Sequence, residues 1–401
     1  MSERQPVPKW LQEAHDADHL SDALQILQSR ERTREHARTT SRHKANPSRA
    51  YRITHLPSTV LTNSDDAAHY SVAVASQPEN RVSNRYGDIE PYDRTRVVVG
   101  HGGQEPSGRY LNASWVRELA GGKWWIATQA PLPATSHAFL SVLLQPISRP
   151  PSDIHLSTYP ISSKSSRVRT VVQLTQNYER GMRKAHMYFP SLEGESWILP
   201  PESGCTAPSV RVTLVRLETF EHAHCTKSTV SIQQLSQEEE DLGEPVIFRH
   251  MLFSAWPDHG VPEPEDRAAL LNFVHLVDET NRDLSPYPTS SQADLDSDPP
   301  IMVNCSAGVG RTGSFIAICS LLRSNGFLPP STSPIHGPGL PDLTPSRLGA
   351  LPAELKDDMV AQEIDSLREQ RPCMVQRDEQ ALLVYETLIT AFTEGAGRSK
   401  A

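Results

Sequence analysis

An α+β fold with a central twisted mixed sheet flanked by helices is what this sequence predicts, and three observations carry the prediction. Strand-like runs rich in β-branched residues recur through the middle of the chain: TRVVV (95–99), KWWIATQ (123–129), RTVVQLT (169–175), SVRVTLVRL (209–217) and TVSIQQL (229–235). Helical periodicity then dominates the C-terminal third, over residues 265–282, 311–324, 354–370 and 378–392. The third observation is a Pro count of 33 with only 37% hydrophobic residues in 401, which predicts a globular core carrying surface insertions.

The elements follow in chain order. Residues 9–29 place Leu20, Ala23, Leu24 and Leu27 at helical intervals, predicting a short amphipathic helix or helix pair. Residues 30–48 are polar and basic and read as a frayed extension or linker, so 1–50 form an N-terminal helical segment and linker packed on, or part of, a domain spanning 51–395. Two stretches rich in Pro, Ser and Gly, SPYPTSSQADLDSDPP (285–300) and 327–352, read as flexible surface insertions. They also offer weak sites for proline-recognising partners.

Composition narrows the function. A net charge of -9 argues against a broad nucleic-acid footprint. No apolar run approaches a membrane span, and MSERQPVPKW lacks the apolar stretch of a signal peptide. Five cysteines, odd in number and irregularly spaced, predict reduced thiols rather than a disulfide framework or a metal site. The expectation is a soluble monomer of the cytoplasm, with the nucleus also compatible, using neither metal nor cofactor.

VNCSAGVGRTGSF (303–315) poses the decisive question. Gly308, Gly310 and Gly313 satisfy G-x-G-x-x-G between two apolar runs, a dinucleotide signature. That reading requires an acidic residue about 20 positions further on to hold a ribose, and LPPSTSPIHG (328–337) supplies none. A cysteine reading accounts for more of the stretch. A strand ending at Asn304 and a helix starting near Arg311 would set Cys305 at the mouth of a loop of inward-facing amides, a nest for a dianion. Ser306, Ala307, Gly308, Val309 and Gly310 let the backbone wrap a phosphoryl group, and the Arg311 guanidinium can give two parallel hydrogen bonds to its oxygens. Thiolates, not thiols, are nucleophilic, and a helix N-terminus with nearby cations favours the thiolate. Thr312 is placed to hydrogen-bond that thiolate.

NCSAGVGRTG resembles the signature loop of the classical, non-receptor protein tyrosine phosphatases. The similarity runs from about Asn84 to Phe392 through NRYGDIEPYDRTRV (84–97), YLNASWV (110–116), TQAPLPATSHAFL (128–140), ERGMRKAHMYFP (179–190), FSAWPDHGVP (253–262) and MVQRDEQ (374–380). The resemblance implies the cysteine-phosphatase fold and hydrolysis of phosphotyrosine in proteins. It makes Cys305 the nucleophile, Asp258 of WPDHG the general acid and later base, and Trp256 the hinge anchor of a closing loop. It makes Gln376 and Gln380 the holders of the attacking water and of substrate. Tyr86 and Asp88 become the substrate pocket, with Glu179 orienting Arg311 and Lys184 pairing with Asp258 or an adjacent phosphate.

Four positions depart from the family pattern. Asn304 stands where histidine is usual, and slower chemistry is expected. Arg377 and Ala381 flank the glutamines in place of threonine and an aromatic, and Cys373 replaces a glycine that opens a second aryl-phosphate pocket in some relatives. The Asn304 departure motivates an alternative, a phosphotyrosine-binding pseudophosphatase. A dual-specificity phosphatase is a third reading, against which Tyr86 argues.

Overall fold

The computed structural model describes residues 6–14, 16–45, 64–100, 108–145, 166–257, 260–332 and 346–394. Helices α1 (Lys9–Ala14), α2 (Ala17–Ala45), α3 (Ser64–His69) and α4 (Pro78–Arg81) precede strands β1 (Arg96–Val99), β2 (Arg109–Arg117) and β3 (Trp124–Gln129). Helix α5 (Ser136–Leu144) leads to β4 (Thr170–Gln173), the hairpin β5 (Tyr178–Glu179) and β6 (Met182–Arg183), then β7 (Ser196–Leu199), β8 (Val210–Phe220), β9 (Cys225–Leu235) and β10 (Asp241–Phe253). Helices α6 (Arg267–Arg282) and α7 (Thr289–Gln292) follow, then β11 (Ile301–Cys305), α8 (Gly310–Ser324), α9 (Met359–Gln370) and α10 (Asp378–Glu394).

Nine strands form one mixed sheet in the order β1-β2-β3-β11-β4-β10-β9-β8-β7. β11 runs parallel to both β3 and β4, β4 runs parallel to β10, and the outer pairs are antiparallel. The parallel centre explains why IMVNC (301–305) is buried at every position, since a strand covered on both faces needs no polar alternation. One face packs under α6, α8, α9 and α10, where Val303, Phe315, Ile318, Leu367 and Leu388 meet. The other packs under α5, with Ile126, Phe139, Val171 and Met302. Parallel strands and their crossover helices direct loops to the carboxyl ends of β11 and β4, where ligands bind in open α/β sheets.

Two expectations are corrected. Residues 30–45 are no linker: α2 is a single helix whose Arg30, Arg34, Arg38 and Arg42, spaced four apart, share one face. Arg34 is fully buried between Asp365 and Glu369, each 2.7 Å away, while Arg30 meets Asp365 at 2.8 Å and Arg38 meets Glu31 at 2.9 Å. The basic stretch looked solvated because Asp365 and Glu369 lie 331 and 335 positions from Arg34 in sequence. Upstream, Leu11, Ala14, Ala23 and Leu27 join the main core.

Of residues 285–300, the stretch 285–297 is exposed or half-buried, as a surface insertion would be, and only its end at 298–300 belongs to the body of the fold. Asp298 is buried against Lys123 and takes a hydrogen bond from Arg282 at 2.9 Å, and Asn281 donates to the Pro299 carbonyl. Of 327–352, residues 333–345 lie outside the described residues, whereas Leu328 and Leu351 are buried and Ser346 donates to Glu369 at 2.8 Å.

Candidate active site

β11 ends at Cys305 and α8 begins at Gly310, so the nucleophile candidate sits where a buried parallel strand gives way to the N-terminus of a helix buried along nearly its whole length. Cys305 is 5% exposed, and the Gly308 N–H donates to its sulfur at 3.3 Å. The glycines that imitated a dinucleotide loop have another cause. Gly308 has φ +73°, and a Cβ there would stand 2.1 Å from the Thr128 carbonyl oxygen; a Cβ on Gly313 would stand 2.4 Å from the Val375 nitrogen. They are required by close backbone contacts with β3 and with the turn before α10.

Arg311, on the first turn of α8, is held as expected. Its Nη1 and Nη2 donate to the two carboxylate oxygens of Glu179 at 2.6 and 2.8 Å, and Nη1 also reaches the Leu174 carbonyl at 3.1 Å. Glu179 is itself oriented by the Thr175 hydroxyl at 2.7 Å and the Gln176 N–H at 3.1 Å. Both side chains of the pair are under one tenth exposed, so the fork is fixed in one geometry. Lys184 is buried, and its carbonyl accepts from Ser306 Oγ at 2.8 Å, tying the hairpin region to the loop.

The recognition segment docks on the same loop. Tyr86 Oη and Ser306 Oγ share a hydrogen bond at 2.8 Å. The Arg85 N–H donates to Gln129 Oε1, and its guanidinium holds the Ala130 and Pro131 carbonyls. Asp88 is exposed, and its carbonyl accepts from Arg42 of α2 at 3.4 Å.

Gln380 is 7% exposed and lies against Gly310, where an added Cβ would be 2.7 Å from its amide; Gln376 is exposed at the preceding turn. Trp256 is buried, its indole N–H donating to the Gly260 carbonyl at 3.2 Å across the expected hinge. Asp258 lies outside the described residues.

Two buried polar side chains beside the loop have no hydrogen-bond partner among the described residues. The Thr312 hydroxyl is one of them, so the expected bond to the Cys305 sulfur is not made in this structure. Asn304 is fully buried with both ends of its amide unpaired, sharing a row with Thr128 and Gln173 across the sheet.

Sequence reasoning missed Arg371. This fully buried guanidinium donates to the Gly308 carbonyl at 2.8 Å and the Ala307 carbonyl at 3.2 Å, and on its other side to Asn112 Oδ1 at 2.9 Å and Ser114 Oγ at 3.2 Å. By binding the loop carbonyls from outside, it leaves the amides free to face inward. Burial pulls its pKa down to about 10, with Tyr110 and then Cys305 opposing that fall. Its signal was an arginine two residues before Cys373 in the turn REQRPCMV, where nothing local accounts for the charge.

A buried cysteine at the head of a glycine-shaped loop, a carboxylate-locked arginine and a tyrosine bonded to the same loop are the groups that the fold brings together here. The family model described as Protein-tyrosine phosphatase matches residues 80–148 and 164–325, and the chain belongs to that family. Among curated proteins it is similar to the human receptor-type tyrosine-protein phosphatase H, at 31% identity over 333 residues covering 81% of this chain and 22% of that protein. It is also similar to the Gallus gallus receptor-type tyrosine-protein phosphatase eta, at 32% over 258 residues (64% and 14%), and to a Caenorhabditis elegans tyrosine-protein phosphatase Lar-like, at 28% over 330 residues (82% and 11%). The chain thus spans less than a quarter of the length of each of these relatives.

Proposed function

We propose that this protein hydrolyses phosphotyrosine in proteins through a cysteinyl-phosphate. The observation that carries the reading is the Arg311–Glu179 fork set beside the buried Cys305 loop, because it presents a fixed bidentate donor where phosphoryl oxygens would lie. The Cys305 thiolate attacks phosphorus while the P–O bond to tyrosine breaks, and Asp258 gives the leaving phenolate its proton. Arg311 and the amides of 306–310 hold the three equatorial oxygens. Asp258, now a carboxylate, takes a proton from a water held by Gln376, and the attack of that water on phosphorus returns the thiolate and releases phosphate. Tyr86, bonded to Ser306, walls a cleft whose depth suits a phosphorylated phenol better than a phosphorylated serine. Turnover is favoured over binding alone because nucleophile, arginine and orienting carboxylate are all assembled.

All five cysteines are free, and no helix among the described residues is long and apolar enough to cross a membrane. A reducing compartment, the cytoplasm, suits a thiolate enzyme of this composition. The test is Cys305→Ser assayed with p-nitrophenyl phosphate and a phosphotyrosine peptide. Turnover should vanish while peptide binding persists, and a serine variant that hydrolyses at the wild-type rate sinks the mechanism.

A further inference from the structure

Two arginines flank one tyrosine at the end of the sheet remote from Cys305, and a third, Arg167, stands two residues before one of them on the same strand edge and is near enough to feel that tyrosine's charge. β4 runs from Thr170 toward Leu174, whose carbonyl meets Arg311; Arg169 and Arg167 lie beyond the opposite end of that strand, ~17 and ~23 Å away at ~3.3 Å per residue. Arg249 sits beside them on β10, in register with Thr170. The guanidinium carbons of Arg169 and Arg249 stand 5.6 and 5.8 Å from the centre of the Tyr287 ring, and the Tyr287 hydroxyl is anchored to the Ile247 carbonyl at 3.0 Å.

Asp283 is hydrogen-bonded to this cluster, whereas Asp296 and Asp298 act on Arg169 only through space and leave guanidinium nitrogens of Arg169 and Arg167 without a direct partner among the described residues. Arg249 has one carboxylate, Asp283, at 3.0 Å, and that side chain is 45% exposed. Arg169 is 2% exposed; one nitrogen donates to the Asn281 carbonyl at 3.0 Å, while its Nε and Nη1 are buried without an acceptor. Half-buried Arg167 makes no hydrogen bond or ion pair with any described residue, and its Nε is buried. Burial lowers the pKa of both Arg167 and Arg169, and Arg249 adds repulsion at Arg169. Arg30, Arg34 and Arg38 of α2 each have a carboxylate within 2.9 Å. A buried cation without a counter-charge is costly, and an anion placed among the three would offset that cost.

We propose that Arg167, Arg169 and Arg249, with Tyr287 as floor, form a second oxyanion site that takes a phosphoryl group, either as inorganic phosphate or on a phosphorylated side chain. Arg169 directs two unpaired nitrogens to the ligand, Arg167 closes over it from the rim, and Arg249 supplies charge already oriented by Asp283. The site is separate from the catalytic loop and does not depend on its chemistry.

Calorimetric titration of inorganic phosphate into the full chain tests it. Wild-type protein should bind two equivalents; Arg311→Met should bind one; Arg167→Ala, made in either background, should weaken the equivalent that is insensitive to Arg311→Met at least tenfold. Arg167 makes no hydrogen bond with a described residue, so Arg167→Ala should fold and keep wild-type turnover, and Arg249→Met provides a second variant with the same expected loss. A phosphoserine peptide as second titrant separates the sources: binding of both probes assigns the site to phosphorylated side chains, and binding of phosphate alone assigns it to the free anion. A single wild-type equivalent, abolished by Arg311→Met and indifferent to Arg167→Ala and Arg249→Met, overturns the proposal. If the catalytic reading fails instead, turnover is absent while the equivalent insensitive to Arg311→Met remains.

Discussion

Replacing Arg371 with methionine tests both the stability of the fold and the shape of the catalytic loop. The change removes four hydrogen bonds from a charged donor, to the carbonyls of Ala307 and Gly308, to Asn112 Oδ1 and to Ser114 Oγ, each worth ~1.5–3 kcal/mol. Against that, the variant no longer buries a cation whose pKa has fallen from 12.5 to about 10, a relief on the order of 3 kcal/mol. The relief offsets only part of that loss, so the net destabilisation should be ~3–9 kcal/mol. Catalysis has no such compensation. With their outer donors gone, the loop carbonyls can rotate and carry the amides away from the positions of the phosphoryl oxygens. Losing preorganised donors of this kind costs ~100- to 1,000-fold in kcat. Urea denaturation should therefore show a clearly lowered midpoint, and assay of the folded variant on a phosphotyrosine peptide a fall in kcat of at least ~100-fold. A folded Arg371→Met enzyme with kcat within about threefold of wild type would refute the assignment, since few-kcal/mol geometry effects should exceed that.

Further outcomes follow from the same geometry. Glu179→Gln breaks the fork on Arg311, and kcat/KM should fall ~100-fold on a phosphotyrosine peptide, as for a misplaced positioning group; an unchanged value would mean that Arg311 needs no partner. Gly308→Ala places a Cβ against the Thr128 carbonyl at a φ of +73°, so thermal stability should drop by ~1–3 kcal/mol with loss of turnover. Arg34→Met leaves Asp365 and Glu369 without a fully buried cation and should cost ~3–5 kcal/mol by urea denaturation. For Glu369, burial would raise the pKa, but the His69 hydrogen bond and Arg34 outweigh it and hold the group down to about 2. A depressed carboxylate contributes stability above its unfolded pKa and loses it as pH falls from about 4.5 through 2, here on the order of 3 kcal/mol. Wild type should lose that increment over this window relative to Glu369→Gln, and parallel stability curves for the two would contradict it.

Much of the fold was legible where local pattern and tertiary environment agree. Runs such as RVVV (96–99) and SVRVTLVRL (209–217) became strands because β-branched side chains fit a pleated, packed surface. EDRAALLNFVHLVDETNR became α6 because its apolar stripe has helical period. β10 was less legible: DLGEPVIFRHMLF carries Gly243 and Pro245 in its outer half, and only pairing with β9 and β4 holds it extended. The length of α2 was hidden for a related reason, since a helix face of arginines is indistinguishable from a solvated one until its carboxylates are placed.

The sequence by itself determined that Cys305 and Arg311 flank one loop of small residues, because spacing and residue size are properties of contiguous chain. It also pointed to Glu179 and Tyr86, through motifs standing in order, and the fold brings both against that loop. Only the tertiary structure decided that Arg371 holds the loop carbonyls from behind, that the arginines of α2 are paired, and that Arg167, Arg169 and Arg249 meet around Tyr287. The physical reason is common to all three. The energy of a buried charge depends on which groups surround it in space, and those groups come from chain segments whose separation no local pattern records.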